Sequence, residues 1–297
     1  MAETMAAIGE VELCYETFGD PADEAMLLIM GLGTQMVAWH DDFCAELAER
    51  GFHVVRFDNR DAGRSSRLAH VKPPSMRQIV LRDRRAAGYT LEDMADDAVG
   101  LLDHLGIERA HVVGASMGGM IAQTVAIRHR DRVLSLVSIM SNTGARWSGQ
   151  PALRMLPIFL RRAPRDRAAF AEHEATLFKA IGSPDYPPDR DELRDMALRS
   201  YDRGVDAAGS GRQLAAILAA ADRGSQLRHL DVPTLVIHGR SDRLVMPSGG
   251  RRTARAIPGA RLMLIDGMGH DLPRALWPRM LHAIAENAAR AARSAPR

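Results

Sequence analysis

Three side chains in this 297-residue chain are of the types that acyl transfer by a serine uses, and they stand in one of the several chain orders in which such groups occur: Ser116, Asp242 and His270. Ser116 stands at the centre of Gly114-Ala115-Ser116-Met117-Gly118, after the apolar run AHVVGA and ahead of the helix-like MIAQTVAIRHR. A serine hydroxyl is a weak nucleophile alone. Catalysis requires it to project from the backbone toward a base, with amide N–H groups near the developing oxyanion. A sharp strand-to-helix turn meets both conditions but crowds the chain, and glycines two positions either side of the serine remove the clashing Cβ atoms. In a chain with 25 glycines the pattern can arise by chance, so its flanking elements carry the argument. No P-loop motif is present, and GASMGG does not fit the GxGxxG fingerprint of dinucleotide sites.

The base and the acid are expected on two later loops. PTLVIHG runs into RSDRLVMP, which puts Asp242 at the carboxyl end of one strand, and ARLMLID runs into GMGHDL, which does the same for His270. If those strands are neighbours, the side chains converge. Ser116 would then attack, His270 would take and return its proton, and Asp242 would fix the imidazole tautomer. An imidazole base also implies that activity falls as the pH drops below neutrality. Two rival acids flank His270: Asp266 closes the strand itself, and Asp271 is the immediate neighbour and poorly placed to reach the ring. The alternative acid position after the strand ending at Met140 holds Ser141 and Asn142, neither a carboxylate. His238 ends a strand and is read as structural. The oxyanion donors are expected to be the N–H of Met117, which follows the nucleophile, and that of Leu32 in MGLG, where Gly31 and Gly33 allow close backbone approach.

The elements that must position these groups alternate between short apolar runs and amphipathic segments, the pattern of βαβ units around a mostly parallel, doubly wound sheet. Strands are expected at Val11 to Gly19, Ala25 to Gly31, His53 to Asn59, Ala110 to Ala115, Val133 to Met140, Pro233 to Gly239 and Ala260 to Asp266. The clearest helix is TLEDMADDAVGLLDHLG, where Thr90 and Asp93 form a capping-box pattern and Gly106 ends the helix. Residues 67–89, with their Pro-Pro pair, read as a long loop with a short helix. Residues 142–228 contain no strand pattern but several amphipathic helical ones: PALRMLPIFLRR, DRAAFAEHEATLFKAI, DELRDMALRSYDRG and GRQLAAILAAADR. This divides the chain into an α/β core of residues 1–141 and 229–297 and an inserted helical cap of residues 142–228. Such an insertion emerges where ligand sites of open α/β sheets lie, so it is read as a lid over the site. The tail ARAARSAPR is expected to be frayed.

Composition bounds the rest. With 46% hydrophobic residues the chain can bury a large core, and 39 basic against 37 acidic residues leave a net charge of +2. That balance, almost all arginine on the basic side with Lys72 and Lys179 the two lysines, argues against a nucleic-acid partner. The first twenty residues lack a basic segment followed by a long apolar one, and no apolar run reaches the ~18 residues of a membrane span. Cys14 and Cys44 show no metal-type spacing and read as buried, reduced thiols of a cytoplasmic protein.

GASMG, GRSDRLVMP with Asp242, GMGHDLP with His270, and FDNRDAGRSS together resemble the α/β-hydrolase superfamily over nearly the whole chain. FGDPADEAMLLIMGLG and FDNRDAGRSS look like the branch that includes the aclacinomycin methylesterases and many bacterial carboxylesterases. The oxyanion loop of that superfamily commonly reads His-Gly, where this chain has Met30-Gly31. The resemblance implies the α/β-hydrolase fold and hydrolysis of a small-molecule ester through an acyl-enzyme, with no cofactor and no metal. Methylester hydrolysis of a polyketide-type substrate, cofactor-free haloperoxidase or perhydrolase chemistry, and C–C bond hydrolysis share this core, and a non-catalytic ligand-binding protein is the alternative from another class. Met30, Met36, Met117, Met120, Met155, Met246 and Met268 fall in or near the site loops or the insertion, which suggests a plastic, apolar acyl pocket for short to medium acyl esters.

Overall fold

The computed structural model describes residues 2–81, 83–152, 155 and 164–294. Its eight strands are β1 (Thr4–Ile8), β2 (Val11–Phe18), β3 (Glu24–Ile29), β4 (Phe52–Phe57), β5 (Ala110–Ala115), β6 (Val133–Ile139), β7 (Thr234–Gly239) and β8 (Arg261–Ile265). The helices are α1 (Asp41–Ala48), α2 (Met76–Leu81), α3 (Leu91–His104), α4 (Met117–Arg128), α5 (Arg167–Ile181), α6 (Arg190–Arg203), α7 (Ala207–Ala219), α8 (Gly224–Leu227), α9 (Ser248–Ala256) and α10 (Trp277–Ser294). The strands form one sheet in the order β1-β2-β4-β3-β5-β6-β7-β8. From β4 to β8 every pairing is parallel, whereas β1 and β2 are antiparallel additions at one edge.

Each of the seven strands anticipated from apolar runs is present within one or two residues of its expected bounds. These runs are continuous because both faces of the sheet are covered. Leu27 and Ile29 of β3 pack with α3 and α4 on one face, while Met26 and Leu28 pack with α1 and α10 on the other. The expected capping box starts α3: the Thr90 N–H donates to Asp93 Oδ2 at 2.7 Å and the Asp93 N–H to Thr90 Oγ1 at 3.2 Å. Gly106 follows the helix with φ of 68°, the left-handed conformation that glycine adopts without steric cost.

Two elements differ from expectation. β1 has no counterpart in the sequence reading, because Ala6 is its one buried residue and its apolar content is too sparse to register as a strand. It is held by the β1–β2 hairpin, closed by a turn at Gly9 and Glu10 with Ile8 opposite Val11. The tail expected to fray is helical as far as Ser294, since Ile284 and Ala288 of α10 are buried against the sheet; residues 295–297 lie outside the described ones.

Between β6 and β7 the described residues contain α5 to α8 and no strand. The pattern PALRMLPIFLRR falls mostly outside the described residues. α5, α6 and α7 each begin at an aspartate whose side chain accepts from the first turn: Asp166, Asp189 and Asp206. Buried ion pairs fasten this helical segment to the loop that follows β4. Arg203 of α6 binds Asp58, and Arg212 of α7 binds Asp61 through two parallel bonds of 2.8 and 2.6 Å. Burial pushes the Asp61 carboxyl up, but Arg212, the Leu68 N–H and the Tyr89 hydroxyl outweigh it and leave the group below the ordinary carboxylate range. Among the described residues no helix is long and apolar enough to cross a membrane.

Candidate functional site

The turn between β5 and α4 holds Ser116 at φ 56° and ψ −119°, a left-handed conformation unusual for a residue with a side chain. The backbone crossing there is so close that a Cβ on Gly114 would come within 2.1 Å of the Gly118 carbonyl oxygen, and one on Gly118 within 2.0 Å of the Ile29 carbonyl oxygen. Both glycines of the motif are therefore sterically required. The turn is anchored further by the Ser116 N–H, which donates to Ile139 O at 2.9 Å, and by Ser141, whose hydroxyl donates to Ser116 O at 2.7 Å.

β7 and β8 are adjacent and parallel, with Gly239 paired to Ile265, so the loops after them emerge side by side. Asp242 and His270 meet there: His270 Nδ1 lies 2.8 Å from Asp242 Oδ2, and His270 Nε2 lies 3.0 Å from Ser116 Oγ. The other oxygen, Asp242 Oδ1, accepts the N–H groups of Leu244 and Val245 at 2.9 Å each. Burial pushes this carboxyl up, but His270 and His238 outweigh it and hold the pKa at about 2. An ionised carboxylate accepts the proton on Nδ1, which leaves Nε2 as the acceptor facing the serine.

The rival acids stand elsewhere. Asp266 is exposed and pairs with Arg240, and Asp271 Oδ1 accepts the Ser183 hydroxyl. His238, which the sequence offered only as a strand end, lies beneath the site: its Nε2 is 2.8 Å from Val245 O and 3.4 Å from Asp242 Oδ2.

The loop after β3 passes close to the serine, since a Cβ on Gly31 would lie 3.1 Å from Ser116 Cβ. In this loop the Gly33 N–H is taken by Gln213 Oε1 at 2.7 Å and the Thr34 N–H by Gly31 O at 3.3 Å. Among the described residues no acceptor engages the N–H of Leu32 or of Gly31, and Met117, as the first residue of α4, has no intrahelical acceptor. Three side chains that sequence reasoning missed hold this loop. Asn59 donates to Met30 O at 3.0 Å, the Asp58 carboxylate accepts the Met36 N–H at 2.7 Å, and Gln213 bridges Gly33 to Arg60 O. The motif FDNRDAGRSS contains two of them, Asp58 and Asn59; Gln213 carries no local signal.

A cavity of about 2780 Å³ opens over Ser116 and His270, walled by α5, α6 and α7 and by residues of the 67–89 loop. Of the methionines expected there, Met30, Met117 and Met120 line it, joined by Met76, Met140 and Met196. Met36 and Met268 are instead part of the core and Met246 faces solvent, because loop proximity in sequence does not fix which way a side chain turns. Among the described residues no cluster of three or more His, Cys, Asp or Glu could hold a metal ion, and both cysteines are free and buried.

The chain is similar to known proteins over most of its length. Residues 24–273 match the family model for the alpha/beta hydrolase fold. The chain is 29% identical to rhodomycin D methylesterase DnrP of Streptomyces peucetius and 30% identical to rhodomycin D methylesterase DauP of Streptomyces sp. strain C5, each alignment covering 96% of this chain and 97% of the relative. The crystal structure of the enol-lactonase from Burkholderia xenovorans LB400 superposes with a TM-score of 0.76 at 26% identity, over 96% of this chain and all of the other. The strained serine turn, the eight-stranded sheet and these matches lead to one assignment: the chain belongs to the alpha/beta hydrolase family.

Proposed function

We propose that this protein is a carboxylic ester hydrolase that works through an acyl-enzyme on Ser116, under a cap formed by residues 142–228 on a core of residues 1–141 and 229–297. The observation that carries this reading is the hydrogen-bonded series Ser116 Oγ, His270 Nε2, His270 Nδ1 and Asp242 Oδ2, with steps of 3.0 and 2.8 Å. Ser116 Oγ attacks the ester carbonyl carbon as its proton passes to His270 Nε2. The oxyanion accepts the N–H groups of Leu32 and Met117, which are worth most in a site screened from water. Collapse breaks the carbonyl-to-alkoxy bond, and the alcohol leaves with the proton from His270. Water then attacks the acyl-enzyme by the same route and releases the acid, while Asp242 holds the Nδ1 proton and stabilises the imidazolium.

Cavity size favours a second, narrower reading of the substrate. Pockets for small ligands run to ~300–1,000 Å³, so a space of about 2780 Å³ suits an ester of a bulky acid better than a short acyl chain. The similarity to two methylesterases supports a methyl ester of such an acid. The test is a panel of p-nitrophenyl esters from acetate to palmitate, run beside methyl butyrate and the methyl ester of a polycyclic aromatic acid, with the intact protein and Ser116→Ala. Removing the nucleophile should lower kcat at least ~10³-fold. A variant within tenfold of the intact protein would exclude Ser116 as the nucleophile, and a kcat/KM for methyl butyrate above that for the polycyclic methyl ester would exclude the bulky-acid reading.

A further inference from the structure

Glu174 lines the cavity that contains Ser116. Helical spacing puts Phe170, Leu177, Phe178 and Ile181 on the same side of α5, one or two turns away, and all four line the cavity with it. The carboxylate therefore stands in an apolar wall. Among the described residues it has no hydrogen-bond donor and no cation, whereas Glu172 of the same helix pairs with Arg190 at 2.8 Å. This half-buried carboxylate gains no stabilising partner from the described residues, and an apolar residue of similar size would avoid its partial desolvation. Among the described residues nothing supplies its counter-charge, which leaves the carboxylate open to a cation that enters the cavity.

We propose that Glu174 is a cation-binding subsite of this cavity, taking the protonated nitrogen of an amine-bearing ester. The inference rests on the esterase reading above and adds to it the chemical class of the substrate. Burial alone pushes the Glu174 carboxyl up to about 7, as expected of a carboxylate with no partner among the described residues. A neutral hydroxyl or amide satisfies one carboxylate oxygen, but a cation also offsets the charge, and the neighbouring phenylalanine rings favour cations as well.

The helix also supplies a ruler. The carbonyl of Ile181, at the end of α5, accepts the His270 N–H at 2.8 Å, so that end of the helix abuts the reacting groups. Glu174 lies seven residues earlier, about 10 Å along the axis at 1.5 Å per residue. The substrate it fits has its ester carbonyl at Ser116 and a cationic nitrogen about 10 Å away.

The test uses two p-nitrophenyl esters of equal length, one ending in a trimethylammonium group about 10 Å from the carbonyl and the other in an isosteric tert-butyl group. In the intact protein kcat/KM should favour the cationic ester, and Glu174→Gln should lower the cationic-to-neutral ratio by ~10–100-fold. A ratio unchanged within about twofold overturns the proposal. Calorimetric binding of the cationic ester to Ser116→Ala reads the subsite without turnover. Adding Glu174→Gln to that variant should weaken binding at least ~10-fold, and equal affinity overturns the proposal. Failure of the esterase reading is distinguishable: neither ester would turn over, while the carboxylate-dependent binding would persist.

Discussion

Replacement of Asp242 by asparagine tests whether the acid works by fixing the state of His270. Asp242 Oδ1 accepts two backbone N–H groups, from Leu244 and Val245, at 2.9 Å each. An asparagine must keep its amide oxygen there, since its NH2 group would face two donors. The NH2 group is then aimed at His270 Nδ1, which the aspartate oxygen now meets at 2.8 Å. Nδ1 becomes an acceptor, the ring proton moves to Nε2, and the serine loses its base. In serine hydrolases with this triad the same exchange costs ~10⁴ in kcat, equivalent to about 5 kcal/mol of barrier. Stability should fall too. The pKa of Asp242 is about 2 in the fold against an ordinary 3.8, so its contribution is fully present above pH 3.8 and lost as the pH falls toward 2. That gap corresponds to about 2 kcal/mol. Hydrolysis of p-nitrophenyl butyrate measures kcat, and urea unfolding at neutral pH and near pH 3 measures stability. A variant with kcat within tenfold of the intact protein, or a stability difference that does not narrow on acidification, would refute this account.

Two further substitutions probe the parts that hold the site. Arg212→Met leaves Asp61 ionised and buried without its cation; both side chains are 3% exposed or less, so the loss should be ~3–5 kcal/mol in urea unfolding, partly recovered when Asp61→Asn is added. A loss below about 1 kcal/mol would mean that the helical segment is not bolted to the loop after β4 by this pair. Gln213→Met strips the partner from the Gly33 N–H and the Arg60 carbonyl, costing ~1–3 kcal/mol. Because it loosens the loop proposed to carry the Leu32 donor, kcat should fall roughly tenfold with little change in KM, and a rise in KM at unchanged kcat would contradict that role.

Much of the architecture is local and so legible in the residues alone. The strands buried on both faces announce themselves as short apolar runs, the α3 cap needs only Thr90 and Asp93 three positions apart, and the serine turn needs only glycines at fixed offsets from Ser116. Chain order then nominated Asp242 and His270, because both follow strands, but sequence could not supply the adjacency of β7 and β8 that brings them together. The Arg212–Asp61 and Arg203–Asp58 pairs and the Gln213 bridge link residues about 150 positions apart, and such partnerships leave no periodic trace. Glu172 and Glu174 are alike in sequence; α6 supplies a guanidinium to one, and none of the described residues supplies one to the other, which lines the cavity. Sequence determined which segments form and which residue types reach the site. Packing decided which polar groups find partners in the protein, since that depends on distances between elements that chain-local patterns do not encode.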